Sequence, residues 1–390
     1  MSGVIIGLQF AGGLKQEMSV QIVGVGDVCV GSPVARFDPS AGTLWGLLAS
    51  ADLAIANLEQ TLTERGVRAD KPVTLRAHPS LVDEVFRLGF DAVTLANNHI
   101  MDFGYEGLAE TLATLERRGI AYAGAGPNRA AAVRPATLTV GGLRIALLSF
   151  ASTVPPGAAA TVDRPGLAPI RVTTRYVLDG ATNDEQPGSA PYVETEALES
   201  DVDAALTAIS AARASHDLVI VGLHWGVMPH WMPPIQGTLA DYQRPLAHRI
   251  IDAGADLLLG GHAHSPQGVE VYRSKLIAYC LGNFIFHKHK LPEAALNSDR
   301  PGPYWGARFN YRPDFKFKAG CLLRLWADAH RIERAELVPY LLDEDSEPYL
   351  VTGAEASGVL ELVREASPVH GQFVVVGDRG EIPPALFSRD

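Results

Sequence analysis

The stretch Ala255-Asp256-Leu257-Leu258-Leu259-Gly260-Gly261-His262-Ala263-His264 decides how this chain is read. Its short apolar run, bounded by glycines, predicts a buried strand. The two imidazoles fall where that strand gives way to a loop, within reach of one metal centre. Four more runs end in the same way. Val20-Gln21-Ile22-Val23-Gly24-Val25-Gly26-Asp27 alternates like a strand and projects a carboxylate from its C-terminal end. Asp52 to Leu58 runs into Glu59, and Ala92 to Ala96 delivers Asn97-Asn98-His99, with Asp102 and Gly104 opening a helix. Asp217 to Leu223 ends in His224-Trp225-Gly226. Apolar strands that each terminate in an oxygen or nitrogen donor describe an active-site edge rather than scattered surface polarity.

Carboxylate, imidazole and amide together form a borderline-hard donor set. It suits one or two divalent ions of manganese, zinc, iron or cobalt better than calcium, which takes more oxygens. Thiolates are not needed: Cys29, Cys280 and Cys321 form no CxxC pair, which argues against a disulfide framework or zinc knuckle and for a reducing cytoplasm. The net charge of -11 argues against nucleic acid as a partner. No apolar run approaches the roughly 20 residues that span a bilayer, and Met1 to Phe10 lacks the basic flank of a signal peptide. A cytoplasmic enzyme without a membrane partner is expected, with homo-oligomer formation left open.

At 390 residues the chain can bury a large core, and the spread of motifs favours one main domain over residues 19–340, followed by an extension over 341–390. Leu108, Leu112 and Leu115 predict an amphipathic helix over 105–119. Gly124-Ala125-Gly126-Pro127 reads as a turn; no Lys-Ser or Lys-Thr follows to make it a phosphate loop. A core strand is expected over 143–150, helices over 194–214 and 242–253, and a hairpin from 320–326 and 331–339. Two stretches, 153–192 and 291–313, are too long and too rich in proline and glycine for plain connections, and read as insertions or lids.

Taken together, Gly26-Asp27, Asn57-Leu58-Glu59, Ala96-Asn97-Asn98-His99 with Asp102 and Gly104, His224-Trp225-Gly226, the Gly254 to Glu270 block and Leu281-Gly282-Asn283-Phe284 resemble the CapA family. That family is named for poly-gamma-glutamate capsule biosynthesis and is related to calcineurin-like metallophosphoesterases. The resemblance implies an α/β (α+β) fold, a metallophosphoesterase-like four-layer sandwich of two mixed sheets flanked by helices. It also implies that Asp27 and His264 hold one ion, that Asn98, His224 and His262 hold the other, that Glu59 bridges them, and that His99 is general acid or base.

This chain departs from the pattern in places. Cys29 stands where the phosphoesterase relatives carry a histidine, and reads as a buried thiol. Val227 to Pro234 is apolar and aromatic where family members often carry an acidic residue, and His287-Lys288-His289-Lys290 adds imidazoles and cations after the Asn283 motif. With two dications against Asp27 and Glu59 the centre would keep about +2, attracting a phosphate or a peptide carboxylate. A peptide or an anionic small molecule is therefore the expected substrate. Soluble relatives resemble enzymes that epimerise a residue in a ribosomally made peptide, which makes a metal-dependent peptide epimerase the leading expectation. Epimerisation needs a base and an acid on opposite faces of the alpha carbon: His99 and His287, with His230 in reserve, and Trp225, Trp231 and Asn283 contacting the substrate. A dinuclear-metal phosphoester hydrolase and a soluble poly-gamma-glutamate synthesis factor are the alternatives.

Overall fold

The computed structural model describes residues 19–71, 73–226, 238–290 and 315–388. Strand Val20–Cys29 lies at the centre of a ten-stranded sheet. On one side it runs parallel to Leu53–Leu58, which is followed by Ala92–Thr94 and Ala121–Ala123. On the other it pairs antiparallel with Ala319–Ala327, followed by Ile332–Leu342, Arg379–Ile382 and Val374–Val376. Asn283–Phe286 pairs with the far half of Val20–Cys29, and Pro348–Leu350 with Ile332–Leu342. The second sheet has six strands, in the order Val269–Tyr272, Lys275–Ala278, Leu257–Gly261, Leu218–His224, Leu143–Ala151, Ala136–Val140.

The twofold period of each strand assigns its side chains to layers. Ile22, Leu53 and Ile55 of the first sheet meet Leu218, Ile220, Leu257 and Leu259 of the second in the core between the sheets. Val23, Val25, Ala54 and Ala56 face the other way, toward helices Leu44–Ala49, Val82–Arg87 and Gly104–Arg118. On the outer face of the second sheet Val219, Val221, Leu223 and Leu258 pack with Glu199–Arg213 and Gln243–Asp252. The result is the expected four-layer sandwich of two mixed sheets. Continuing the same alternation puts Asn57 and His224 on the side between the sheets. The central strands Val20–Cys29, Leu53–Leu58, Leu218–His224 and Leu257–Gly261 run parallel within their sheets, so their C-terminal ends gather at one edge, where open α/β sheets bind ligands.

Backbone approach sets the geometry of that edge. A Cβ on Gly26 would stand 1.8 Å from the Gly282 carbonyl oxygen, and one on Gly222 2.4 Å from Thr94 Cγ2. The register of Val20–Cys29 shifts between Gly24 and Asp27, an irregularity of the kind that re-aims a side chain at a strand end.

The expected helix over 105–119 is Gly104–Arg118, with Leu108, Leu112 and Leu115 buried, and it stops at Gly119, whose φ of +79° suits a glycine C-cap. The expected hairpin is Ala319–Ala327 with Ile332–Leu342. One boundary differs. Tyr192–Ala197 is a strand, and the helix begins only at Glu199, because Val172–Val177 pairs with residues 192–197 and removes them from the helix. This two-stranded arm, with helix Gly180–Glu185 at its tip, occupies much of the expected 153–192 insertion. The stretch from 343 on supplies three strands of the large sheet, and its helix Gly353–Ala366 packs Val359, Leu360 and Val363 into the core between the sheets. The 291–313 insertion lies outside the described residues, apart from the chain leading up to it.

Gly26→Ala should cost about 3 kcal/mol of unfolding free energy in a urea titration, the upper end for overpacking against backbone. Gly180→Ala, whose Cβ meets nothing within 4 Å, should change stability by no more than about 0.5 kcal/mol.

Candidate metal centre

Five strand ends converge on Glu59. The residue is fully buried, and neither carboxylate oxygen has a hydrogen-bond partner among the described residues. His224 Nε2 stands 3.4 Å and His99 Nε2 3.9 Å from Oε1; His264 Nδ1 is 3.9 Å from Oε2. A buried carboxylate without a donor is unstable unless a cation compensates it. Two sets of donor atoms cluster around it, Glu59 with His224 and His262, and Glu59 with Asp27 and His264, each within 4.8 Å of one another.

Asp27 is buried at the end of its strand. Its Oδ1 accepts from Asn57 Nδ2 at 2.8 Å and its Oδ2 from the His262 backbone N–H at 3.0 Å, with His264 Nδ1 3.4 Å away. Burial by itself would raise this carboxyl, but the hydrogen bond from His264 and the neighbouring imidazoles hold it down at about 2. His264 is the converse case: burial would lower it, yet the charge of Glu59 and its bond to Asp27 raise it to about 9. His262 is pushed well below the ordinary histidine range by burial and by the neighbouring His224 and His264. His262 and His264 both have positive φ, +92° and +54°, a backbone cost that non-glycine residues carry mainly at functional sites.

His99 stands beside the cluster as a held base. Its Nδ1 meets Asp102 Oδ2 at 2.6 Å, leaving Nε2 aimed at Glu59. Asp102, 1% exposed, takes Lys71 Nζ on Oδ1 at 2.5 Å and the Leu75 N–H on Oδ2 at 2.6 Å; Lys71 also donates to the Asn98 carbonyl. Burial, then the Lys71 charge, lowers the imidazole below its ordinary value against the pull of Asp102, so it is neutral near pH 7.

The geometry thus gathers Asp27, Glu59, Asn98, His224, His262 and His264, with Asn98 Oδ1 2.8 Å from His224 Nε2. Other expected site residues go elsewhere. Trp225 is fully buried in the core of the second sheet, stacked on Tyr279 at 5.7 Å and donating to the Tyr279 carbonyl at 2.8 Å, so it forms no substrate wall. Asn283 holds His264, its Oδ1 2.8 Å from Nδ1. His287 is fully buried on the far side of strand Asn283–Phe286, with Gly31 N–H on Nδ1 at 3.3 Å and Glu347 Oε1 3.4 Å from Nε2. No face of that ring is open to a peptide. His230 and Trp231 lie outside the described residues. Sequence reading missed Asn57 and Lys71. Asn57 lies two residues before Glu59 and so shares its strand's C-terminal end, a signal that was available; Lys71 sits in a loop whose contacts are all tertiary.

A pair of sheets whose parallel strands meet at a buried carboxylate–imidazole cluster defines an α/β sandwich with a candidate centre for divalent metal. The donors fit such an ion: the orphaned Glu59 oxygens need a cation, and imidazole, carboxylate and amide atoms surround them. Within that class, the chain belongs to the bacterial capsule synthesis protein PGA_cap family, whose model matches residues 21–288. It is similar to a probable polyglutamine synthesis accessory protein of Mycobacterium tuberculosis, 37% identical over 60% of this chain and 56% of the relative. It is also similar to the capsule biosynthesis protein CapA of Bacillus anthracis, 30% identical over 70% of this chain and 61% of the relative. The matches therefore span little more than half of these relatives' own length. Among solved structures, a putative 5'-nucleotidase from Staphylococcus aureus aligns over 89% of this chain and 58% of that one, with 13% identity and a TM-score of 0.41. Among the described residues no helix is long and apolar enough to cross a membrane.

Since His264 keeps its proton up to about 9, an ion bound there must displace it. Affinity for manganese should rise about tenfold per pH unit from neutrality until His264 has titrated, then level off. Calorimetry at pH 7 in buffers of different ionisation heat should show roughly one proton released per ion. Glu59→Gln should weaken binding by at least the roughly 10–100-fold that loss of an outer-shell partner costs.

Proposed function

We propose that this chain is a metal-dependent hydrolase serving the synthesis of a glutamate-rich polymer, acting at a phosphoryl group of an anionic, glutamate-containing substrate. The observation that carries the metal dependence is Glu59, a fully buried carboxylate with no hydrogen-bond donor, ringed by imidazoles. The names of the similar proteins from Mycobacterium tuberculosis and Bacillus anthracis support a capsule or polyglutamine polymer as the setting.

A divalent ion, when bound, supplies Lewis acidity toward a phosphoryl oxygen and lowers the pKa of its water from about 15.7 toward 7. The chain's own residues do the rest. Asp102 accepts the Nδ1–H of His99 and fixes that tautomer, so the Nε2 lone pair faces the cluster. His99 there takes a proton from attacking water and returns it to the leaving oxygen, a role worth about 10²–10⁴-fold. Lys71 draws the Asn98 carbonyl and the Asp102 carboxylate together, which keeps the imidazole plane and the Asn98 side chain on the same edge. One fact of placement weighs against the expected pairing of His99 with His287 for epimerisation: among the described residues His287 is buried against Glu347, while the reserve candidate, His230, lies outside them.

Manganese-loaded protein is expected to release phosphate from aryl phosphates, with chelator abolishing the release and gamma-linked glutamate oligomers competing. His99→Ala should lower kcat by roughly 10²–10⁴-fold while metal content stays unchanged. Intact glutamate peptides that gain carbon-bound deuterium in heavy water, without phosphate release in the parallel assay, would overturn the hydrolase reading in favour of epimerisation.

A further inference from the structure

We propose that the buried thiol of Cys280 is a positioning residue for the candidate centre: its sulfur gathers backbone N–H groups of the His262 to Ser265 loop and so holds both imidazoles in place for an ion. This rests on the reading of the cluster as a metal centre. It goes beyond that reading by giving a role to a side chain outside both donor sets, which consist of carboxylates and imidazoles among the described residues.

Cys280 is 1% exposed and lies two residues past strand Lys275–Ala278. The Gly282 N–H reaches its Sγ at 3.5 Å. The backbone N–H groups of Ala263 and Ser265 are hydrogen-bonded to the same sulfur. Three donors from two stretches of chain thus converge on one atom. The backbone conformation accounts for it: His262, His264 and Gly282 have φ of +92°, +54° and +85°. Left-handed residues of this kind turn neighbouring N–H groups to one side, forming a concavity for an atom with lone pairs. Here the chain fills that concavity with its own sulfur, a large and weak acceptor suited to several long contacts.

Glycine adopts a positive φ without steric cost, but histidine does not. The twist at His262 and at His264 must therefore be held from outside the loop. Its ends are held by oxygen: Asp27 Oδ2 takes the His262 N–H at 3.0 Å, and the Cys280 carbonyl takes the Gln267 N–H at 2.9 Å. Asn283 Nδ2 reaches the His264 carbonyl at 3.3 Å. Between these supports the sulfur binds the N–H of the residue directly after each histidine. Relaxing either φ would swing an imidazole away from Glu59, the carboxylate that both donor sets share.

The test uses the full chain, manganese alone and two replacements that separate the acceptor from its volume. Cys280→Ser keeps an acceptor and loses bulk; Cys280→Val keeps bulk and leaves buried N–H groups unpaired. Mn²⁺ affinity by calorimetry is expected to stay within a few-fold of wild type in Cys280→Ser. In Cys280→Val it should fall by roughly 10–100-fold, the scale of losing an outer-shell partner. Hydrogen exchange of the metal-free protein reads the same contacts without an ion. The amides of Ala263, Ser265 and Gly282 should be protected in wild type and exchange faster in Cys280→Val, while strand Leu218–His224 stays protected. Wild-type affinity in Cys280→Val, or equal losses in both variants, would overturn the proposal. So would rapid exchange of the three amides in wild type, a result that requires no variant to fold. Wild type that binds no Mn²⁺ would overturn the metal-centre reading and this role with it, and is told apart because the three amides stay protected.

Discussion

Everything at the centre depends on how closely two sheets approach at their C-terminal edges. A Cβ on Gly24 would come within 2.8 Å of Leu259 Cδ2, one on Gly222 within 2.4 Å of Thr94 Cγ2, and one on Gly261 within 2.4 Å of Asp27 Oδ1. Only hydrogen fits at these contacts. Because backbone on one sheet meets side chains of the other there, Asp27 receives the Asn57 amide from its own sheet and the His262 N–H from the other. The cluster is thus stitched across the interface between the sheets by the Asp27 carboxylate, with Asn57 and Asn98 reaching His224 from the same side.

Within that frame the charges are unbalanced in a specific way. Asp27 is satisfied by hydrogen bonds and held strongly acidic, while Glu59, equally buried, has no donor among the described residues. Four imidazoles surround the pair, and they do not answer it equally: His264 is driven toward the charged form, whereas His262 and His99 are driven toward the neutral one. A buried site that leaves one carboxylate uncompensated and keeps lone pairs on its neighbours is arranged for a cation rather than for protons.

The periphery holds this arrangement through charges that are not part of it. Asp102 and Lys71 fix His99 from a loop and a helix start, and Asn283 fixes His264. Glu347, which follows the last long strand, accepts the backbone N–H groups of Ala35 and Arg36 just beyond the Asp27 strand and also lies 3.4 Å from His287. The C-terminal stretch therefore braces the rim as well as extending the sheet. His287, read from its neighbours in sequence as a catalytic partner, belongs to this bracing.

The sequence by itself determined the apolar runs, their order, the donor that ends each of them and the family they resemble, because strand periodicity and strand-end chemistry are local properties. It could thus name Asp27, Glu59, Asn98, His99, His224, His262 and His264 as one group. It could not tell which polar residue beside a motif faces the cluster and which faces away, since a single residue's step along a strand reverses the side. Trp225, one residue after His224, turns into the core, and His287, one residue past strand Asn283–Phe286, turns to Glu347, while Asn57 turns inward to join Asp27 to His224. Only the tertiary structure decided that, because the partners that settle each orientation arrive from strands that are distant in sequence and meet only when the two sheets close.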